Sequence, residues 1–202
     1  MSHYINRYLN EVKNIAEAID KEMIEKIIKR ILVVKKEQGR IFFLGVGGSA
    51  ANCSHAVNDF RKIAEIDSYT PMDNIAEITS RTNDEGWETV FKAWLERSKI
   101  NKDDLIFILS VGGGDEKKKV SVNLINAVDY AQKIGCDVVG IVGRDGGHTA
   151  KNSYACIIIP TVNKQNVTVH TEAFQSVIWH LIVSHPKLKE NETKWESVSK
   201  NK

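Results

Sequence analysis

The stretch Arg40-Ile-Phe-Phe-Leu-Gly45-Val-Gly-Gly-Ser49-Ala-Ala-Asn52-Cys-Ser-His55 joins an unbroken apolar run to a glycine turn and then to small residues that open a helix. Ile41 to Leu44 show no polar alternation, so both faces of this segment are expected to be buried, as in a central parallel strand. Glycines at its end let the backbone turn at once. Moving outward, comparable apolar runs stand at Leu105 to Val111, Val138 to Val142 and Cys156 to Pro160. Helical spacing fills the gaps at Val90 to Ser98, Val122 to Ile134 and Thr168 to Ser184. Strands that alternate with helices imply an α/β fold with a doubly wound parallel sheet.

Before the first strand, apolar residues recur at three- and four-residue steps from Tyr4 to about Lys36, through Tyr8, Val12, Ile15, Ile19, Met23, Ile27 and Ile31. This is a helical period, and the segment 1–38 reads as a helical extension that needs a partner face. Residues 39–188 form the main domain, and 189–202 read as a loose, polar, lysine-rich tail.

The 202 residues suffice for one α/β domain with a substantial core. With 28 basic against 26 acidic residues the net charge is +2, which offers no field for nucleic acid or an anionic membrane surface. Cys53, Cys136 and Cys156 have no metal-type spacing and sit in core-like segments, so free thiols are expected. The opening residues lack the pattern of a signal peptide, no apolar run reaches membrane-spanning length, and the chain is read as cytoplasmic.

In such sheets ligands bind beyond the carboxyl ends of the strands. Three strand ends carry glycine with polar residues: Gly45 to Asn52, Ser110-Val-Gly112-Gly-Gly114, and Gly143-Arg-Asp-Gly-Gly147. Glycines that bare backbone N–H groups next to a helix N-terminus suit a phosphate, although tight turns alone also require glycine. The first loop lacks the later glycine of a dinucleotide fingerprint, and no phosphate-loop lysine follows it, so a small phosphorylated ligand fits better than a nucleotide.

The helix opened by the first loop carries His55 and Asp59 four residues apart, hence on one face. A second helix carries Glu172 and His180, which at about 100° per residue share a broad face. Singly, each is commonly a satisfied imidazole or a surface carboxylate. Together with the loops they form a set able to move protons or to hold a divalent metal.

The run Gly45-Val-Gly-Gly-Ser-Ala-Ala-Asn-Cys-Ser-His55 with Asp59 resembles the opening motif of the sugar isomerase (SIS) domain family, and within it the phosphoheptose isomerase branch. The likeness extends through Asn83-Asp84-Glu-Gly86-Trp-Glu-Thr-Val-Phe91, Leu109-Ser110, Gly140 to Gly147 and the helix of His180. It implies a five-stranded, flavodoxin-like sheet and aldose–ketose isomerisation of sedoheptulose 7-phosphate through an enediol, for activated-heptose biosynthesis. By that resemblance Gly47, Gly48, Ser49, Asn52, Ser110, Gly112 and Ser121 would hold the substrate and its phosphate, and Asn83 and Asp84 would touch sugar hydroxyls. Asp59, Glu172 and His180 would exchange protons, and His55, Asp59, Glu172 and His180 would bind one zinc ion. A homotetramer built through the N-terminal helix, with active sites between subunits, is also implied. The alternatives are a non-catalytic sugar-phosphate-sensing or protein-interaction module of the same family, or an isomerase of another sugar phosphate.

Four positions depart from the family pattern. Asp59 stands for a glutamate, which shortens the side chain by about 1.5 Å. Glu172 stands for a glutamine and Val46 for an asparagine. The usual serine-rich phosphate loop is replaced by Ser110-Val-Gly-Gly-Gly-Asp-Glu-Lys-Lys-Lys-Val-Ser121. Read as an insertion of about six residues before Ser121, this keeps Ser121 as the cap of the next helix and puts Lys117, Lys118 and Lys119 on a loop able to close over the phosphate.

Overall fold

The computed structural model describes residues 2–199. Its elements run α1 (Ser2–Ala18), α2 (Lys21–Lys36), β1 (Ile41–Gly45), α3 (Gly48–Lys62), β2 (Ser68–Tyr69), a 3-10 turn (Pro71–Asp73), α4 (Ile75–Glu85), α5 (Val90–Arg97), β3 (Leu105–Ser110), α6 (Val122–Ile134), β4 (Asp137–Val142), α7 (Gly147–Asn152), β5 (Ala155–Ile158), α8 (Val167–Val183) and α9 (Lys194–Ser199). All strand pairs are parallel, in the order β2-β1-β3-β4-β5. The expected five-stranded, doubly wound α/β sheet is therefore present.

Every residue of β1 and β3 is buried, which is why neither alternates in polarity. Side chains on one face of the sheet, such as Phe43 and Phe107, pack with Ile27, Ile31, Phe60 and Trp179. Those on the other, such as Phe42 and Ile106, pack with Phe91, Trp94, Leu124 and Val128. Helices thus cover both faces. The connection from β1 runs to β2 on one side and the chain then crosses to β3 on the other. The carboxyl ends of β1 and β3, where Gly45 lies opposite Leu109, flank the topological switch point.

The N-terminal segment departs from its expected single helix. Asp20 is extended, its Oδ1 accepts from the amide of Met23 at 3.0 Å, and α2 starts afresh. Ile24, Ile27, Ile28, Ile31 and Val34 of α2 lie in the same core cluster as the sheet, so α2 is one of the covering helices. The tail is also less loose than expected as far as Asn191. Leu188 is buried, the amides of Glu190 and Asn191 both donate to the carbonyl of Ile63, and Lys35 pairs with Glu190. The last three residues of the tail lie outside the described residues.

Candidate functional site

α3 and α8 lie side by side and run in the same direction, which matches residues of one to residues of the other in order. Gly48 meets Glu172, Asn52 meets Gln175 and Ser176, His55 meets Trp179, and Asp59 meets His180. The pairing is fixed by Asn52. Its Nδ2 donates to the Glu172 carbonyl at 2.9 Å and to Gln175 Oε1 at 3.0 Å, and its Oδ1 accepts from Ser176 Oγ at 2.7 Å. Expected to touch substrate, Asn52 instead spends its amide on clamping the two helices.

Beyond this clamp, His55, Asp59 and His180 bring one ligand atom each within 4.8 Å of one another. Asp59 Oδ2 lies 3.7 Å from the Nε2 of both histidines, while its Oδ1 accepts from Asn58 Nδ2 at 2.8 Å. His180 Nδ1 is 2.7 Å from the Ser176 carbonyl, a contact that requires the proton on Nδ1 and makes Nε2, which faces Asp59, the nitrogen left to bind a metal or exchange a proton. That arrangement, a ring oriented by a backbone carbonyl, is the usual support of a metal-binding histidine. Two imidazoles and one carboxylate at such spacing fit a divalent ion with an open fourth position. The side chains of His55 and His180 are 56% and 48% exposed, so the trio opens outward.

Glu172 does not join this trio. Eight residues separate it from His180, about 12 Å of helix rise, and its carboxylate lies over Gly48. Sharing a helix face put the two residues in one direction without bringing them to one depth.

The second and third loops use their glycines on each other. The amides of His148 and Thr149 donate to the carbonyls of Gly114 and Gly113, each at 2.9 Å, and Thr149 Oγ1 donates to Gly113 O at 2.8 Å. A Cβ at Gly113 would run into the Gly146 carbonyl, and one at Gly147 into the carbonyls of Gly112 and Gly114. Ser110 Oγ accepts from the amide of Gly113 at 3.0 Å. The Gly113 and Gly114 carbonyls therefore cap α7, where the sequence suggested a phosphate cradle.

Asp115 to Val120 close into a short hairpin through two backbone hydrogen bonds, and Asp115 accepts from the amide of Lys118 and pairs with its ammonium at 3.2 Å. The amide of Lys118 chiefly holds the Asp115 carboxyl below its ordinary value. Lys117 and Lys119 leave this hairpin on separate sides: the first lines a cavity with Arg144, His148 and Lys151, the second one with Trp87, Ser121 and Val122. Ser121 opens α6 but does not cap it by its side chain, because it emerges from the hairpin in the left-handed region (φ 52°). Asn123, fully buried in the first turn of α6, accepts from the Leu124 amide through Oδ1 at 2.9 Å and has an Nδ2 with no partner. Asn83 and Asp84 end α4, a helix with no buried residue, and hydrogen-bond each other at 2.8 Å.

Sequence reasoning missed one cluster. Glu11 of α1, almost wholly buried, accepts from Asn163 (2.7 Å), Asn166 (2.8 Å) and His170 Nε2 (2.8 Å). These bonds, that from His170 first, hold its carboxyl down at about 2. The signal was there, since Glu11 sits among Tyr8, Val12 and Ile15 on the inward stripe.

A family model for the SIS domain matches residues 4–143. The phosphoheptose isomerase of Aliarcobacter butzleri is 27% identical over 188 residues, covering 90% of this chain and 96% of that protein. The lincomycin biosynthesis protein LmbN of Streptomyces lincolnensis is 30% identical over 158 residues, 73% of this chain and 56% of its own. Among solved structures, the phosphoheptose isomerase of Neisseria gonorrhoeae superposes with a TM-score of 0.78 at 22% identity, covering 90% of this chain and 95% of that one. That of Francisella tularensis gives 0.77 at 17%, covering 90% and 93%. The glycine loop at the switch point, the helix it opens and the sheet beneath them thus have a shared origin: the chain belongs to the SIS domain family.

Proposed function

We infer that the chain is a sugar-phosphate aldose–ketose isomerase that converts sedoheptulose 7-phosphate to D-glycero-D-manno-heptose 7-phosphate, the substrate suggested by the names of its relatives. The observation that carries the chemistry is the meeting of His55, Asp59 and His180 at one point, on the helix that the switch-point glycine loop opens and the helix beside it. A module that only senses or assembles has no use for two imidazoles and a carboxylate placed within reach of one another.

Gly47 and Ser49, with Glu172 beside them, take hydroxyls of the sugar, and Asp59, between the two histidines, moves the proton between C1 and C2. His180 Nε2, beside Asp59 and held there by the Ser176 anchor of Nδ1, serves the oxygens. His55, Asp59 and His180 would hold a zinc ion, which would supply positive charge against the charge that develops on those oxygens. The phosphate sits at the start of α6, which the Ser121 side chain does not cap, between Ser110 and Ser121, where Asn123 Nδ2 is a buried donor without a partner. Asn83 and Asp84 reach the hydroxyls from α4.

The site works in a homotetramer. The exposed His55 and His180, the thinly covered α4 and the outward apolar residues Ile5 and Leu9 of α1 and Val177 and Leu181 of α8 all suit cover by a second copy. Three free thiols suit the cytoplasm, and no described helix is long and apolar enough to cross a membrane.

The test is incubation with sedoheptulose 7-phosphate, followed by NMR for the aldoheptose phosphate, with added zinc and after chelation. Product that falls on chelation and returns with zinc is expected. Absence of product in every condition overturns the assignment.

A further inference from the structure

The N-terminus of α3 is an anion seat at the switch point: Gly47 has φ 65°, no side chain caps the helix, and the peptide dipoles of α3 lie behind it. A carboxylate already stands beside it. A Cβ built on Gly48 would lie 2.5, 2.6 and 2.7 Å from the Oε2, Cδ and Oε1 atoms of Glu172, so this carboxylate lies flat against the Gly48 backbone. Ser49, in the same first turn, is buried with an Oγ that has no partner, and Gln175, one turn along α8 from Glu172, is buried with a partnerless Nε2. The place therefore combines an internal anion with unspent hydrogen-bonding groups.

We propose that Glu172 is the resident anion of the Gly47 to Ser49 loop and decides what binds there: it bars phosphate and admits a neutral, hydroxyl-bearing part of the substrate. Two negative charges at one helix end repel, whereas a hydroxyl can donate to the Glu172 carboxylate and leave its position intact. A sugar phosphate can then enter in one orientation only, with its hydroxyls against Glu172 and its phosphate away from this loop. A glutamine at position 172 carries no charge and would impose no such choice. This rests on the sugar-phosphate reading for the identity of the ligand, yet its first part concerns the loop alone.

Inorganic phosphate is the probe. Amide chemical shifts of Gly47, Gly48 and Ser49 are followed by NMR as phosphate is added to the full-length protein and to Glu172→Gln and Glu172→Ala. The wild-type amides are expected to stay still where both variants respond, with an apparent affinity at least about tenfold tighter than wild type. A wild-type response equal to that of the variants, or no response in folded variants, overturns the proposal. The alanine variant guards against misfolding peculiar to the glutamine, and the wild-type titration stands even if both fail to fold. Because no turnover is measured, the outcome is independent of the isomerase assay, and either reading can fail alone.

Discussion

At the scale of single residues, His180 separates chemistry from stability. Its ring is half exposed, its Nδ1 bonds a carbonyl of its own helix, and its other contacts, with Trp179, His55 and Asp59, are confined to the site. His180→Ala should reduce turnover by about 100-fold or more while costing no more than roughly 1 kcal/mol of stability. Turnover by NMR beside thermal unfolding checks both halves, and an active variant would remove His180 from the chemistry. Glu11 makes the opposite case. With its carboxyl held at about 2, against 4.5 ordinarily, its contribution to stability is complete above pH 4.5 and fades as the pH falls towards 2. The urea midpoint of the wild type should therefore drop through that window more steeply than that of Glu11→Gln. Parallel curves would show that Glu11 is not what acid attacks first. The thiols are silent by comparison: burial pushes Cys136 and Cys156 up to about 12 and raises Cys53 as well, which leaves little thiolate at neutral pH.

At the scale of elements, the loops after β3 and β4 are one construction. Gly113 has φ 67°, and a methyl group there would meet the Gly146 carbonyl of the neighbouring loop. Gly113→Ala is expected to destabilise the protein by roughly 2–4 kcal/mol through the combined strain and clash, far above a surface substitution. Chemical denaturation measures it, and a loss under about 1 kcal/mol would mean that the loops part easily. The same pair shows where sequence reading stops. β1, β3 and β4 were legible because burial on both faces abolishes alternation, β5 as a further apolar run, and α3, α5, α6 and α8 because helical spacing follows; α4 and the short α7 were not read. β2 was not, since two residues at a sheet edge carry no pattern. The partner of Gly113 lies in another loop, and no local signal distinguishes a glycine needed for packing from one that cradles phosphate. His55, Asp59 and His180 were legible as a set through helix periodicity and the SIS motif. The distance of Glu172 from them was not, because periodicity gives direction around a helix and the neighbour decides what lies at each level. Asp20 was a readable cap, overridden by an apolar spacing that happens to continue across it from Ile19 to Met23.

At the scale of the whole molecule, a site that lies open in one chain has to be closed by something, because enediol chemistry in free contact with water loses the advantage of fixed, desolvated charges. His55 and His180 face outward and α4 buries none of its residues, so the described chain does not enclose the reacting atoms by itself. Leu9, 60% exposed on α1 and one turn from Ile5, offers the test because it belongs to none of the proposed substrate-binding or proton-transfer residues. Burying such a leucine contributes about 1.5–3 kcal/mol, and in a symmetric interface each substitution counts on both sides of the axis. Leu9→Glu should therefore shift the assembly towards smaller species in light scattering while leaving the circular dichroism of the fold unchanged. Turnover should fall in proportion to the tetramer lost and recover as protein concentration is raised. A variant that runs as a monomer with undiminished turnover would show that each chain closes its own site, and the outward faces of α1 and α8 would then need another explanation.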